Sequence, residues 1–135
     1  KMNSLIRYEI FKEFAKSNEK GIIFTGCFDF GNDFETEKME TEKWMNLFEE
    51  TYTIELETTL EERLRRNKTA NRLEHKASKR DLEWSEKDIF RSLERHRLNS
   101  NPGEGEKIFK NFYKINNTNI SAENVAKMIK EKFNL

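Results

Sequence analysis

The sequence predicts a single α/β domain over residues 1–135, built as a three-layer parallel sheet with flanking helices. The length of 135 residues is typical of one domain with a real core. Short β-forming runs alternate with segments of helical periodicity, which is typical of parallel strands joined by crossover helices. One of these runs is almost entirely apolar, as in a strand buried on both faces.

Three runs are predicted as strands: Gly21–Phe28, Thr51–Glu57 and Phe112–Asn116. The first is the apolar run, which we expect to be buried. The second alternates, so Glu55 and Glu57 share one face. Paired acid–base chemistry is one interpretation of these two carboxylates, but a solvent-facing strand surface is the better one.

Five helices are predicted: Asn3–Lys16, Asp33–Glu50, a helix capped by Thr58 or Thr59 that ends near Asn67, a helix from Ser85 through Leu98, and one capped by Ser121 that contains Phe133. The first should bury a face formed by Leu5, Ile6, Ile10, Phe11 and Phe14. Residues 68–83 carry little hydrophobic periodicity and are predicted as a loop. Residues 99–105 contain the only proline and form the clearest break.

The composition limits the environment of the chain. No apolar run reaches the roughly 20 residues that a membrane span needs, so we expect no membrane partner. A single cysteine, Cys27, cannot form an internal disulfide, which favours a reducing, cytoplasmic location. We interpret Cys27 as a buried, inert thiol. The two histidines, His75 and His96, show no metal-ligand spacing and are interpreted as surface residues.

Charge is distributed unevenly although the net charge is zero. Residues 31–62 contain eleven acids and two lysines, while residues 63–80 contain eight Lys or Arg and one acid. The acidic stretch is interpreted as solvated helix faces. The basic stretch is either solvated as well or binds anions, because guanidinium groups fit pairs of phosphate oxygens. Its main cations are Arg63, Arg65, Arg66, Arg72, Lys76, Lys79 and Arg80.

Several of these runs carry a family resemblance. The segment from Tyr52 to Lys76, continued by Ser78–Arg80 and Glu83–Ser85, resembles bacterial P-loop kinase-like proteins of the shikimate-kinase-like or AAA ATPase kind. Residues 115–119 and 121–126 extend the resemblance. It covers most of the chain, and the region around residues 63–84 matches the lid of such kinases.

The resemblance implies ATP and magnesium as cofactors and transfer of phosphate to a small-molecule substrate. It implies that Arg72 and Arg80 in the lid are catalytic. It places cofactor binding at Arg63, Arg66, Asn117, Thr118 and Asn119. Asp29, after the first predicted strand, would face the magnesium ion, although a lone Asp in this position is more often a turn or cap residue.

The sequence departs from this family at the phosphate-binding loop. No glycine-rich turn ends in Gly-Lys-Ser or Gly-Lys-Thr. In the family that loop follows the first strand, which lies between the strands resembling Gly21–Phe28 and Tyr52–Glu57. We therefore expect an incomplete or degenerate kinase-like domain with little or no catalysis. The two strands pair directly, another chain fills the gap, or the sequence is less than the natural protein.

Two other functions stay open. The first is that of a non-enzymatic interaction domain, which would bind an acidic partner or RNA through residues 63–80. The acidic stretch disfavours broad nucleic-acid affinity. Alternatively, the chain self-associates through strand edges that the absent strand leaves unpaired.

Overall fold

The structure is a computed structural model, and it describes residues 2–135. The part described contains seven α-helices and one parallel pair of strands. In chain order the elements are α1 (Met2–Ala15), α2 (Phe34–Met45), β1 (Thr53–Glu57), α3 (Leu60–Asn67), α4 (Ala70–His75), a 3₁₀ turn (Ala77–Lys79), α5 (Leu82–Arg95), α6 (Gly105–Ile108), β2 (Phe112–Asn116) and α7 (Ala122–Phe133).

The sheet consists of β1 and β2 in parallel, with Thr53 opposite Phe112 and Glu57 opposite Asn116. The chain between the strands passes through α3, α4, α5 and α6. These strands confirm two of the three predicted runs, and the mixed α/β character follows from them. The complete three-layer sheet stays a prediction.

The predicted strand Gly21–Phe28 is wrong, because this run has no regular secondary structure. Ile23 is 97% exposed and Cys27 is exposed as well, so the expected burial of both is also wrong. An apolar run forms a strand only where a neighbouring strand accepts its backbone hydrogen bonds. No strand in residues 2–135 lies beside this one. Two residues of the run pack against several aromatic rings: Phe24 contacts Phe11 and Trp44, and Phe28 contacts Phe30, Phe34 and Phe109.

Helix α1 forms where it was predicted, but only part of its predicted apolar face is buried. Phe11 is almost fully buried, whereas Leu5, Ile6 and Ile10 are each more than half exposed. Phe11 contacts the rings of Phe24, Trp44 and Phe48, at centroid distances of 5.1, 5.2 and 6.1 Å. The aromatic rings of α2 and the segment after it therefore decide which side of α1 turns inward.

Two predicted helix caps are confirmed. Thr59 begins α3 and its side chain accepts the backbone N–H of Glu62, and Ser121 begins α7 and accepts that of Asn124. Such caps satisfy amides that have no partner within the helix.

The predicted start of α5 at Ser85 is wrong. The helix begins at Leu82, capped by Asp81, and Ser85 is fully buried within it. The Ser85 hydroxyl donates to Asn67 Oδ1 at 3.0 Å, which joins α5 to the end of α3. The loop predicted for residues 68–83 is likewise partly helical, because Thr69 caps α4.

Besides the aromatic cluster around Phe11, the core lies between the sheet, α7 and the segments on either side of α6. Ile115 of β2 and Val125 of α7 are buried, and Phe109 stacks on Phe112 at 6.0 Å. Gly105 is buried, and a Cβ there would collide with the Phe112 ring. This close approach explains why α6 begins with a glycine.

Candidate functional site

Because β1 and β2 are parallel, their carboxyl ends lie at the same edge, where ligands bind in open α/β sheets. The loops that follow the two strands are joined there. Asn117 donates its backbone N–H to Glu57 O at 2.8 Å. The hydroxyl groups of Thr58 and Thr118 lie 3.1 Å apart. Two predicted cofactor-binding residues, Asn117 and Thr118, therefore lie at this edge.

Arg66 binds the same loop from α3. Its Nη2 donates to the carbonyls of Asn117 at 2.6 Å and Thr118 at 3.2 Å, and Nη1 donates to Asn117 Oδ1 at 3.2 Å. Its Nε donates to Glu62. The structure thus brings together three of the five predicted cofactor-binding residues. In this arrangement Arg66 positions the loop, and most of its donors are already used.

The remaining predicted cofactor-binding residues flank this contact. Arg63 lies one helical turn before Arg66, is half-buried, and makes no side-chain hydrogen bond or ion pair within residues 2–135. Asn119 is exposed in the loop after β2. Arg63 is therefore the arginine of α3 whose donors remain available to an anion.

The two predicted catalytic arginines, Arg72 and Arg80, make no hydrogen bond to Asn117 or Thr118 within residues 2–135. Arg80 donates to the carbonyls of Leu73 at 2.9 Å and Glu74 at 3.3 Å, at the end of α4. Arg72, on α4, is half-buried, and its Nε is buried without an acceptor in the part of the chain that the structure describes. Arg80 therefore satisfies helix carbonyls, while Arg72 retains an unused donor.

Four of the eight cations in residues 63–80 form ion pairs with acids of the same chain. Glu62 binds both Arg65 and Arg66 at 2.6 Å. Hydrogen bonds from these two arginines, Arg65 above all, lower the pKa of Glu62 to about 2. Two lysines of the segment are also ion-paired, Lys68 with Glu86 and Lys79 with Asp88. The positive charge offered to a ligand is accordingly smaller than the sequence count indicates.

Asp29, the predicted magnesium residue, is 5% exposed and joins two distant segments. Its Oδ1 accepts the backbone N–H groups of Gly31 at 2.7 Å and Arg97 at 3.0 Å. Its Oδ2 accepts from His96 Nδ1 at 2.9 Å. Burial raises the pKa of Asp29, but the hydrogen bonds from His96, Gly31 and Arg97 outweigh it, and the pKa is lowered.

A carboxylate–imidazole cluster surrounds this contact. Potential ligand atoms of Asp29, Asp33 and His96 all lie within 4.8 Å of one another. Magnesium prefers oxygen ligands in octahedral geometry and usually keeps several waters. An imidazole nitrogen instead suits zinc and its transition-metal neighbours. The donor set at Asp29 therefore does not fit magnesium, and none of its hydrogen-bond partners belongs to residues 63–80.

A second carboxylate with little exposure is that of Glu55, which was predicted to face solvent. Its Oε1 accepts from Asn99 Nδ2 at 2.9 Å, from Ser100 N at 3.0 Å and from Lys114 Nζ at 3.0 Å. Its side chain is 9% exposed, so the solvent-facing interpretation of this strand face is wrong at Glu55. The neighbouring Glu57 fits it better, with a side chain that is 40% exposed.

The sequence offered little to find these groups. Asp29 and His96 are 67 positions apart, and Glu55 and Ser100 are 45 apart. The alternation in β1 even favoured an exposed Glu55. One signal was available: Lys114 occupies β2 at the position that pairs with Glu55 in a parallel register.

Compared with protein-family models, curated proteins and solved structures, the chain shows no match. Among residues 2–135 no helix has the length and apolar character needed to cross a membrane.

Proposed function

We propose that the chain is an incomplete P-loop kinase-like domain that retains the lid base and the base-binding loop but lacks the phosphate cradle. In the intact family, phosphate would pass from ATP to a small molecule. The observation that carries the proposal is the contact of Arg66 with Asn117 and Thr118 at the carboxyl edge of a parallel strand pair. This is the edge at which such sheets bind their ligands.

The edge of β1 that faces away from β2 supports the same proposal; a side chain, Asn99, reaches it and donates to Leu56 O at 3.3 Å. The backbone bonds at the two ends of the ladder, Thr53 to Asn111 and Asn117 to Glu57, show that odd-numbered residues of β1 face β2. Ile54 and Leu56 therefore direct their amides to the other edge, where no strand of residues 2–135 lies. A central strand would pair at this edge. Its absence also accounts for the irregular course of Gly21–Phe28, whose expected neighbour is missing.

The consequence for nucleotide binding is a weak site. Triphosphates are held chiefly by main-chain amides at a glycine-rich turn and a helix N-terminus. The sequence has no such glycine-rich turn, so in this proposal side chains hold the nucleotide, with Asn117–Asn119 beside the base and Arg63 and Arg72 toward the phosphates. We expect ATP to bind in the millimolar range and no measurable phosphate transfer.

Titration of the ¹⁵N-labelled chain with ATP, with and without magnesium, tests this proposal. Amide shifts should change at residues 117–119 and on α3, and Arg63→Ala should weaken binding severalfold. Arg95→Ala is the matched control, because Arg95 ends α5 and makes no ion pair in the described residues. Micromolar binding would show that the phosphate cradle is not missing. Shifts that avoid residues 117–119 would show that the site is elsewhere.

One observation favours a second function, binding of an acidic partner or RNA. Four cations of the basic segment, Arg63, Arg72, Lys76 and Arg80, have no carboxylate partner in residues 2–135. Each phosphate contact with a single strand contributes about −0.7 to the slope of log K against log salt. An oligonucleotide titration at several salt concentrations should therefore give a slope of about −2 to −3. The variant Arg63→Ala/Lys76→Ala should make it shallower, and a flat salt dependence would contradict this function.

A further inference from the structure

The cluster formed by Asp29, Asp33 and His96 remains outside the proposed nucleotide site. It joins the chain before α2 to the chain after α5. Its members come from positions 29, 33 and 96, so only the folded chain assembles them. Unlike a group of surface acids, it contains an imidazole nitrogen and a carboxylate that is almost fully buried.

The spacing of the first two donors suits a shared ion. Asp29 Oδ2 and His96 Nδ1 are 2.9 Å apart. Two ligands at about 2.1 Å from one ion are about 3.0–3.4 Å apart when they subtend angles of 90–109°. A metal ion that replaces the Nδ1 proton would therefore need only a small outward movement of the imidazole. Asp29 would be held in place meanwhile, because Gly31 and Arg97 donate to its other oxygen.

Asp33 supplies a third donor that has no other task. It occupies the N-cap position of α2, yet its carboxylate makes no capping hydrogen bond and no ion pair within residues 2–135. Asp residues at this position ordinarily accept a backbone N–H. The side chain is exposed and can rotate toward Asp29 and His96. The amides that hold Asp29 orient that ligand as outer partners do in metal sites.

We propose that Asp29, Asp33 and His96 bind a divalent transition-metal ion of the zinc class, in preference to magnesium. Two carboxylate oxygens and one imidazole nitrogen leave at least one coordination position for water, as in open rather than closed zinc sites. This inference does not rest on the proposed nucleotide site. The sequence resemblance assigned Asp29 to magnesium, but the two sites share no other residue.

The test uses the full chain carrying Cys27→Ser, because an exposed thiol is itself a zinc ligand. Zinc is titrated by calorimetry, and cobalt is added to a second sample to report coordination through its visible absorption. We expect one ion per chain, a cobalt spectrum that zinc abolishes, and no displacement by a large excess of magnesium. Asp33→Ala should weaken zinc binding at least about tenfold, by comparison with the effects of altering metal-site residues. Since the Asp33 side chain makes no hydrogen bond or ion pair within residues 2–135, this variant should keep its fold.

The two histidines provide an internal control. His75 is exposed, with Nδ1 on the carbonyl of Asn71 at 2.9 Å, outside the cluster. His75→Gln should leave zinc binding unchanged, whereas His96→Gln should abolish it. In ¹⁵N spectra of the imidazole rings, zinc should shift His96 Nδ1 and leave His75 unaffected. Equal zinc affinity in the parent and Asp33→Ala chains, or a shift confined to His75, would overturn the proposal.

Discussion

Glu55 allows the sharpest test of how the fold is held, because Glu57 on the same face of β1 is a matched control. The perturbation is Glu55→Ala. It removes the acceptor of three donors, on Asn99, Ser100 and Lys114, from a side chain that is only 9% exposed. Removing one partner of a buried ion pair typically costs about 3–5 kcal/mol.

The expected cost of Glu55→Ala is smaller than this, because of the surroundings of Lys114. Lys114 is 26% exposed and keeps two other oxygens, Ser100 O at 2.6 Å and Glu57 at 3.6 Å. Its ammonium group is therefore not stranded. The backbone N–H of Ser100 does lose its acceptor, and an unsatisfied buried amide costs about 1–3 kcal/mol. We expect Glu55→Ala to reduce the free energy of unfolding by about 2–3 kcal/mol.

Two further variants locate the source of this loss. Glu55→Gln keeps a carbonyl oxygen for Asn99 and Ser100, removes the charge and places an amide NH2 at Oε2, which has no hydrogen-bond partner within residues 2–135, so it should cost about 1 kcal/mol. Glu57→Ala removes a partly exposed, longer contact and should cost at most about 0.5 kcal/mol. Urea denaturation monitored by tryptophan fluorescence and circular dichroism measures all three. A Glu55→Ala value within 0.5 kcal/mol of Glu57→Ala would refute the reasoning.

The pH dependence provides an independent check. Burial raises the pKa of Glu55, but hydrogen bonds from Ser100, Asn99 and Lys114 outweigh it, and the net pKa is lowered. A carboxyl group with a lowered folded-state pKa contributes stability above its ordinary pKa, and this contribution is lost as the pH falls. The difference between the wild-type chain and Glu55→Gln should therefore be largest near pH 7 and should shrink below about pH 4.

Three other predictions concern single contacts. Gly105→Ala should destabilise the fold by about 1–3 kcal/mol in urea denaturation, because a Cβ would collide with Phe112, and an unchanged midpoint would contradict this packing. Asp81→Ala should cost about 1 kcal/mol and reduce helicity by circular dichroism, because it removes the N-cap of α5; equal helicity would place the start of this helix elsewhere. Hydrogen bonds to Glu104, chiefly from Arg97, lower its pKa to about 2, so the wild-type chain should lose stability as the pH falls from 4.5 to about 2. Glu104→Gln should reduce this loss, and an unchanged acid profile would speak against the ion pair.

Features that depend on neighbouring residues were predictable from the sequence. The caps Thr59 and Ser121, the strand Phe112–Asn116 and the limits of α1 all follow from side chains within a few positions of the feature. The caps and the helix need no distant partner, because hydroxyl caps satisfy local amides and helices form their own hydrogen bonds. The strand is also recognisable from its local composition, although it forms only by pairing with β1.

Features that need a distant partner were not predictable. Gly21–Phe28 has the composition of a buried strand, but a strand exists only if another strand accepts its hydrogen bonds. Ser85 looks like a cap, yet Asp81 four residues earlier takes that role and Asn67 binds the hydroxyl. The candidate site divides in the same way. The arginines and Asn117–Thr118 stand out by type, whereas the pairing of Asp29 with His96 spans 67 positions and leaves no local pattern.

The two buried carboxylates are connected by one short segment, and this has a consequence for any ligand of the metal cluster. His96 and Arg97 bind Asp29, and Asn99 and Ser100 bind Glu55, so residues 96–100 join the chain before α2 to β1. An ion that binds only the folded cluster stabilises it in proportion to the logarithm of its concentration over its dissociation constant. If residues 96–100 transmit that stabilisation, zinc must also slow hydrogen exchange in β1, which contains no metal ligand. If zinc slows hydrogen exchange only at residues 29–33 and 96, then residues 96–100 do not couple the two regions, and the cluster and the sheet unfold separately.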